Sequence, residues 1–199
     1  RTTLHRLAAI LLLASTQATQ AVTIDWDAAV DVVDARDVRN DGVLVEAVNA
    51  ANRGTGEHVI NGVVFGNSNA LLNRPGFSGA LTGASSGDSA YDALLDTFDY
   101  GNGSGLVSRL LGVDALTEGH EYIVQVWFND QRLGGRSMRF GDGEGNTVDV
   151  NAGGAGLGQF AVGRFTADAL AAGAGQTLTL DALGFRNAHV NGYQIRDMT

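Results

Sequence analysis

From Val22 to Arg196 the chain is a succession of short runs in which apolar and polar side chains alternate, and clusters of Gly, Asn, Asp and Ser break the runs about every ten residues. Successive side chains of a strand point to opposite faces. The runs therefore predict strands at Val22–Trp26, Val43–Val48, His58–Phe65, Leu106–Leu111, Tyr122–Asn129, Ser137–Phe140, Thr147–Val150, Gln159–Phe165, Thr177–Leu180 and Val190–Arg196. In the Tyr122–Asn129 run, Tyr122, Val124, Val126 and Phe128 share one face, while Ile123, Gln125, Trp127 and Asn129 share the other. Large apolar groups on both faces predict a central strand covered on both sides. Leu178 and Leu180, by contrast, alternate with Thr177, Thr179 and Asp181, which predicts one wet face. Helical spacing is confined to Ser89–Thr97, capped by Asp88 or Ser89, and to a shorter Ala-rich stretch at Ala167–Ala174. Many short, turn-separated strands without an internal repeat predict an all-β chain. The expected architecture is a single antiparallel β-sandwich of jelly-roll type over residues 22–199, with one or two short helical turns.

Ahead of this pattern, Arg1, His5 and Arg6 precede an apolar run from Leu7 to Ala14 and a small, polar stretch that ends at Ala21. These are the three parts of a secretory signal peptide, which assigns residues 1–21 to processing, with cleavage expected after Ala21 or Ala18. The apolar run is far shorter than the roughly 20 residues that span a bilayer, so no transmembrane anchor is expected. The product is then expected outside the cell or at its surface. The chain has 0 Cys. This excludes disulfides, thiol catalysis and Cys-ligated metals, and in an exported chain it points to a bacterial product, because small secreted domains elsewhere often rely on disulfides. The formal charge is −9, and losing residues 1–21 leaves 11 Arg against 22 acids, or −11. Nucleic-acid affinity rests on basic side chains displacing counterions from phosphates, so a nucleic-acid partner is not expected.

Candidate chemistry is sparse. Gly83-Ala84-Ser85-Ser86-Gly87 matches the G-x-S-x-G nucleophile motif, but no buried apolar strand leads into it and the chain lacks alternating β and α units. His58, His120 and His189 stand singly, without the spacing that puts two imidazoles on one helical face, and read as surface or hydrogen-bonded structural residues. Asp142, Glu144, Asn146 and Asp149 offer oxygens at intervals along one loop, as Ca²⁺ loops do. Thr147 stands where such a loop needs Gly, and Gly153 where it needs Glu, so the same residues also read as a glycine-rich turn. Ca²⁺ is thus a possible ligand and no cofactor is required. No acid pair or nucleophile stands out, and turnover is not expected. Aromatic rings stack on the C–H faces of sugars while acids and arginines bind the hydroxyls, and such sites lie in loops. Tyr91, Tyr100 and Trp127, with Asp130 and Arg132 just past a strand end, are the candidate ligand-binding residues. The alternative is that Trp127 belongs to the core and Asp130–Arg132 is a structural ion pair.

The segment Tyr91–Thr97, the run Leu116–Phe128 and Arg139-Phe140 resemble the malectin-like and galactose-binding-like β-sandwich modules. Beyond these, Asp37–Val45, Val59–Phe65, Gly158–Phe160, Arg164–Asp168 and Asn187–Arg196 resemble a family of secreted bacterial proteins, many of which end in a PEP-CTERM sorting tail. The resemblance implies a jelly-roll fold and a polysaccharide or glycan as partner, and it carries over no individual binding residue. Two functions are expected from it. One is a non-catalytic extracellular carbohydrate-binding module; the alternative is a structural, self-associating subunit of the cell envelope or extracellular matrix.

Overall fold

The computed structural model describes residues 22–50, 56–67, 74–132 and 136–199, so the expected processing segment lies outside the described residues. The described strands and helices, in chain order, are β1 (Asp25–Trp26), β2 (Val30–Asp31), β3 (Val43–Asn49), β4 (His58–Ile60), β5 (Val63–Asn67), β6 (Arg74–Ser78), α1 (Ser89–Asp96), β7 (Thr97–Tyr100), β8 (Leu106–Leu111), β9 (Glu121–Phe128), β10 (Ser137–Gly141), β11 (Thr147–Asn151), β12 (Gln159–Thr166), α2 (Ala169–Ala174), β13 (Gln176–Leu183), β14 (His189–Val190) and β15 (Gly192–Asp197). One sheet runs β1-β12-β9-β15-β3-β5-β4, with β2 also paired to β12; a second runs β11-β10-β13-β8; a small third runs β14-β7-β6. All these pairs are antiparallel except β3 with β5. If β3, β8, β9, β10, β11, β12, β13 and β15 are counted one to eight, the facing sheets read 6-3-8-1 and 5-4-7-2. That order is a jelly roll.

The alternation in β9 has the consequence expected of it. Tyr122, Val124, Val126 and Phe128 enter the core between the two large sheets, against Met138, Phe140, Leu178 and Leu180. Ile123 and Trp127 enter a second core on the other face, with Phe65, Tyr91, Leu94 and Leu95. That core exists because α1 lies over the large sheet. Asp88 caps the helix by accepting from the N–H groups of Ala90 and Tyr91, at 2.9 and 3.0 Å. The Gly83–Gly87 motif belongs to this helix entrance, where Ser85 and Ser86 donate their hydroxyls to Asp92 at 2.6 and 2.7 Å.

One predicted strand is two. His58–Phe65 breaks at Asn61-Gly62, both at positive φ (48° and 77°), and Ile60 pairs with Val63 across a two-residue hairpin turn. Asn-Gly is the pair such a turn favours, because both of its residues must adopt left-handed backbone. Polar groups inside the large sheet are also paired. Gln125 and Gln194 are register partners on β9 and β15, and Gln194 Nε2 donates to Gln125 Oε1 at 2.8 Å. The two amides also hold backbone groups of Asp37 and Arg39, which pins the incoming loop across the sheet. Asn191 donates to the carbonyls of Leu95 and Thr97, both at 2.9 Å, and its Oδ1 accepts from the Asn129 N–H at 2.7 Å. These bonds hold the junction of α1 and β7 against the outgoing end of β9. Among the described residues no helix is long and apolar enough to cross a membrane.

Candidate functional site

Because β7 follows α1 without a break, Phe98 and Tyr100 project from the same face of a strand held beside the end of β9. Phe77 on β6 pairs with Phe98 and stacks on its ring, with centroids 5.3 Å apart. On the other side of β7, His189 of β14 pairs with Tyr100. The chain leaving β9 supplies Asp130, Arg132 and Arg136. Phe77, Phe98, Tyr100, Arg132, Arg136 and His189, with Asn187, line a cleft of about 220 Å³.

Asp130 is the anchor of this cleft. Its carboxylate is fully buried and accepts from Arg132 Nε and Nη2, both at 2.8 Å, and from Arg136 Nη1 at 2.8 Å. A buried carboxylate is stable only when paired and hydrogen-bonded. Burial alone would raise its pKa; the hydrogen bonds from Arg132 and the charge interactions with His189 and the two arginines outweigh it, and the carboxyl lies below its ordinary value. The Arg132 guanidinium lies over the Phe77 ring at 3.9 Å and that of Arg136 faces Phe185 at 5.1 Å, so aromatic surface steadies both cations. His189 is 1% exposed and packs against Phe98, Phe128 and Phe185. Burial pushes its imidazole down to about 4, against the pull of Asp130. Among the described residues its Nε2 has no hydrogen-bond partner, and it lies 3.7 Å from Asp130 Oδ2, beyond bonding distance.

Of the residues expected to bind a ligand, the structure brings Tyr100, Asp130 and Arg132 together and leaves Tyr91 and Trp127 elsewhere. Tyr91 and Trp127 are fully buried, and the Trp127 indole N–H donates to the Tyr91 hydroxyl at 2.7 Å. Neither ring offers a face to a ligand, because the layer formed by α1 covers that side of β9. Asp130–Arg132 is the structural ion pair of the alternative reading, yet its arginine lines the cleft. Arg136, Phe77, Phe98 and His189 were not expected there. The signal for Phe98 was its two-residue spacing from Tyr100, which the helical reading of Ser89–Thr97 obscured.

Two of the four oxygen-bearing residues of the expected Ca²⁺ loop have other partners. Asp142 is fully buried and accepts from the N–H groups of Glu144 and Asn146 through Oδ1 and of Ile24 through Oδ2, at 2.7, 3.2 and 3.0 Å. Asp149 pairs with Arg139 at 2.6 Å. Gly143 and Gly145 take positive φ in the turn between them. Among the described residues no three acidic or imidazole side chains gather in a way that holds a metal ion.

A larger groove of about 840 Å³ lies at the opposite end of β9, between the start of β9, the end of β12 and β1. Its arginines Arg39 and Arg164 are paired with Asp41 and Asp27. The smaller cleft differs in holding a buried, unpartnered imidazole beside cations and rings. Comparison of the chain with known protein families, with curated proteins and with solved structures gives no match.

Proposed function

We propose that the protein binds a carbohydrate, without turnover, in the cleft between β7 and the loop that follows β9. The supporting observation is that the rings of Phe77 and Tyr100 line the same cleft as the cationic donors Arg132 and Arg136 at one end of the sandwich. Apolar faces suit the C–H surface of a sugar ring and guanidinium groups suit its oxygens. At about 220 Å³ the cleft is smaller than the roughly 300 Å³ at which drug-sized sites begin, so it suits a single ring of a chain. Affinity should be modest, with dissociation constants of about micromolar to millimolar, because a shallow contact must offset the motion lost on binding. A glycan array probed with the full chain tests this. Tyr100→Ala should lose the glycans that the wild type retains while melting at the same temperature, and an array with no bound glycan ends the proposal.

A second reading, self-association, has its own support. β8 is an edge of its sheet, and Leu106 and Leu110 on its outward face are 62% and 51% exposed. Such edges can pair with another chain. Analytical ultracentrifugation of the wild type and of Leu106→Lys, Leu110→Lys decides it: association that the double substitution abolishes supports the reading, and a monomer at all concentrations rejects it.

A further inference from the structure

The cleft has a charge imbalance. Arg132 and Arg136 both reach Asp130, so two guanidinium groups meet one carboxylate. Asp99, the other buried acid nearby, projects from the opposite face of β7 from Phe98 and Tyr100. Among the described residues the excess is one positive charge, on a chain whose formal charge is −9. Among the described residues Arg132 commits Nε and Nη2 to Asp130, whereas Arg136 commits only Nη1. A guanidinium with uncommitted donors matches a carboxylate in shape as well as in charge. Among the described residues His189 Nε2, buried in the wall, has no partner, and a buried polar atom left without one marks a place where a ligand atom or water completes the bond.

We propose that the cleft recognises the acidic ring of a uronate-containing glycan, with Arg136 on the ring carboxylate, Tyr100 against the C–H surface, and His189 Nε2 on a ring hydroxyl. The inference rests on the carbohydrate-binding reading and narrows it to one substrate class. Asp130 touches no ligand in this arrangement. It is a positioning residue that holds both guanidinium groups at the mouth of the cleft.

Ligand-observed NMR titration of the full chain provides the test, with D-glucuronate and D-galacturonate set against D-glucose and D-galactose, which differ in having a hydroxymethyl group in place of the carboxylate. The uronates should bind at least about tenfold more tightly, as one charge-assisted hydrogen-bond pair allows. The difference should shrink as ionic strength rises. Arg136→Gln should bring uronate affinity down to that of the neutral sugars. Acetate and inorganic sulfate should show no saturable binding, and if either binds as tightly as a uronate, the site is one for simple anions and the inference fails. Equal affinity for uronate and neutral sugar, or a uronate preference that survives Arg136→Gln, overturns the inference and leaves carbohydrate binding standing. No saturable binding by any of the sugars removes both. Should Arg136→Gln fail to fold, the wild-type preference and its salt dependence decide the matter.

Discussion

His189, enclosed by the rings of Phe98, Phe128 and Phe185, makes the stability of the protein sensitive to mild acid. Its pKa is about 4 in the folded chain against 6.5 for an ordinary imidazole, so between those values the unfolded chain binds the extra proton. Stability is unaffected above pH 6.5, falls as the pH drops through this window, and reaches its full loss of about 3 kcal/mol below pH 4. His58, also lowered by burial, acts in the same direction. Asp130 adds a separate loss at lower pH, because a carboxyl held below its ordinary value stabilises the fold until it is protonated. Denaturant melts of the wild type and of His189→Gln across pH 7 to 4 should therefore diverge, with the variant flatter; parallel curves would assign the window to other groups. Tyr91 supplies a second test at this scale. Tyr91→Phe leaves the buried Trp127 N–H without its acceptor and should cost about 1–3 kcal/mol in the same melts.

At the level of elements, packing decides what a strand tolerates. A Cβ on Gly163 of β12 would collide with Ile24 Cγ2 and meet the Trp26 ring at 2.9 Å, so Gly163→Ala should push β1 off the sheet edge and cost about 1–3 kcal/mol by overpacking. Faster amide exchange at Asp27, whose N–H bonds to the Val162 carbonyl, would report the loss directly. Much of this level was legible in the residue pattern: β9, with its two apolar faces, the one-sided β13, and α1 with its Asp88 cap all follow from local spacing. The candidate site was legible only in part. Tyr100 and Arg132 were visible as candidate binding residues, but the partners that give them a role come from β6 and β14, and pairings between such distant segments leave no local trace. Trp127 misled for a related reason. Alternation places a ring on a face of β9 without saying that α1 covers that face.

Across the whole molecule, the two large sheets are held by more than apolar contact. Asp142, in the turn between β10 and β11, accepts from the backbone of Ile24 just ahead of β1, so one carboxylate ties the edge of one sheet to the other. Asp142→Ala should lower the melting temperature by several degrees, at about 2–4 °C per kcal/mol for a chain of this size. The loss should be the same with and without chelator, since the oxygens that a metal would need already accept N–H groups; a drop that chelator reproduces in the wild type would mean a bound ion instead. The position of β15 bears on biosynthesis. It lies between β9 and β3, with Tyr193 opposite both Val126 and Val48, yet it is the last of these strands to be made. Until the ribosome has released it, β3 and β9 have no partner across the middle of their sheet, and the nascent chain must wait with that seam open. Ribosome-bound chains halted before Gly192 should be cut readily by protease, whereas chains that extend well beyond Asp197 should resist it.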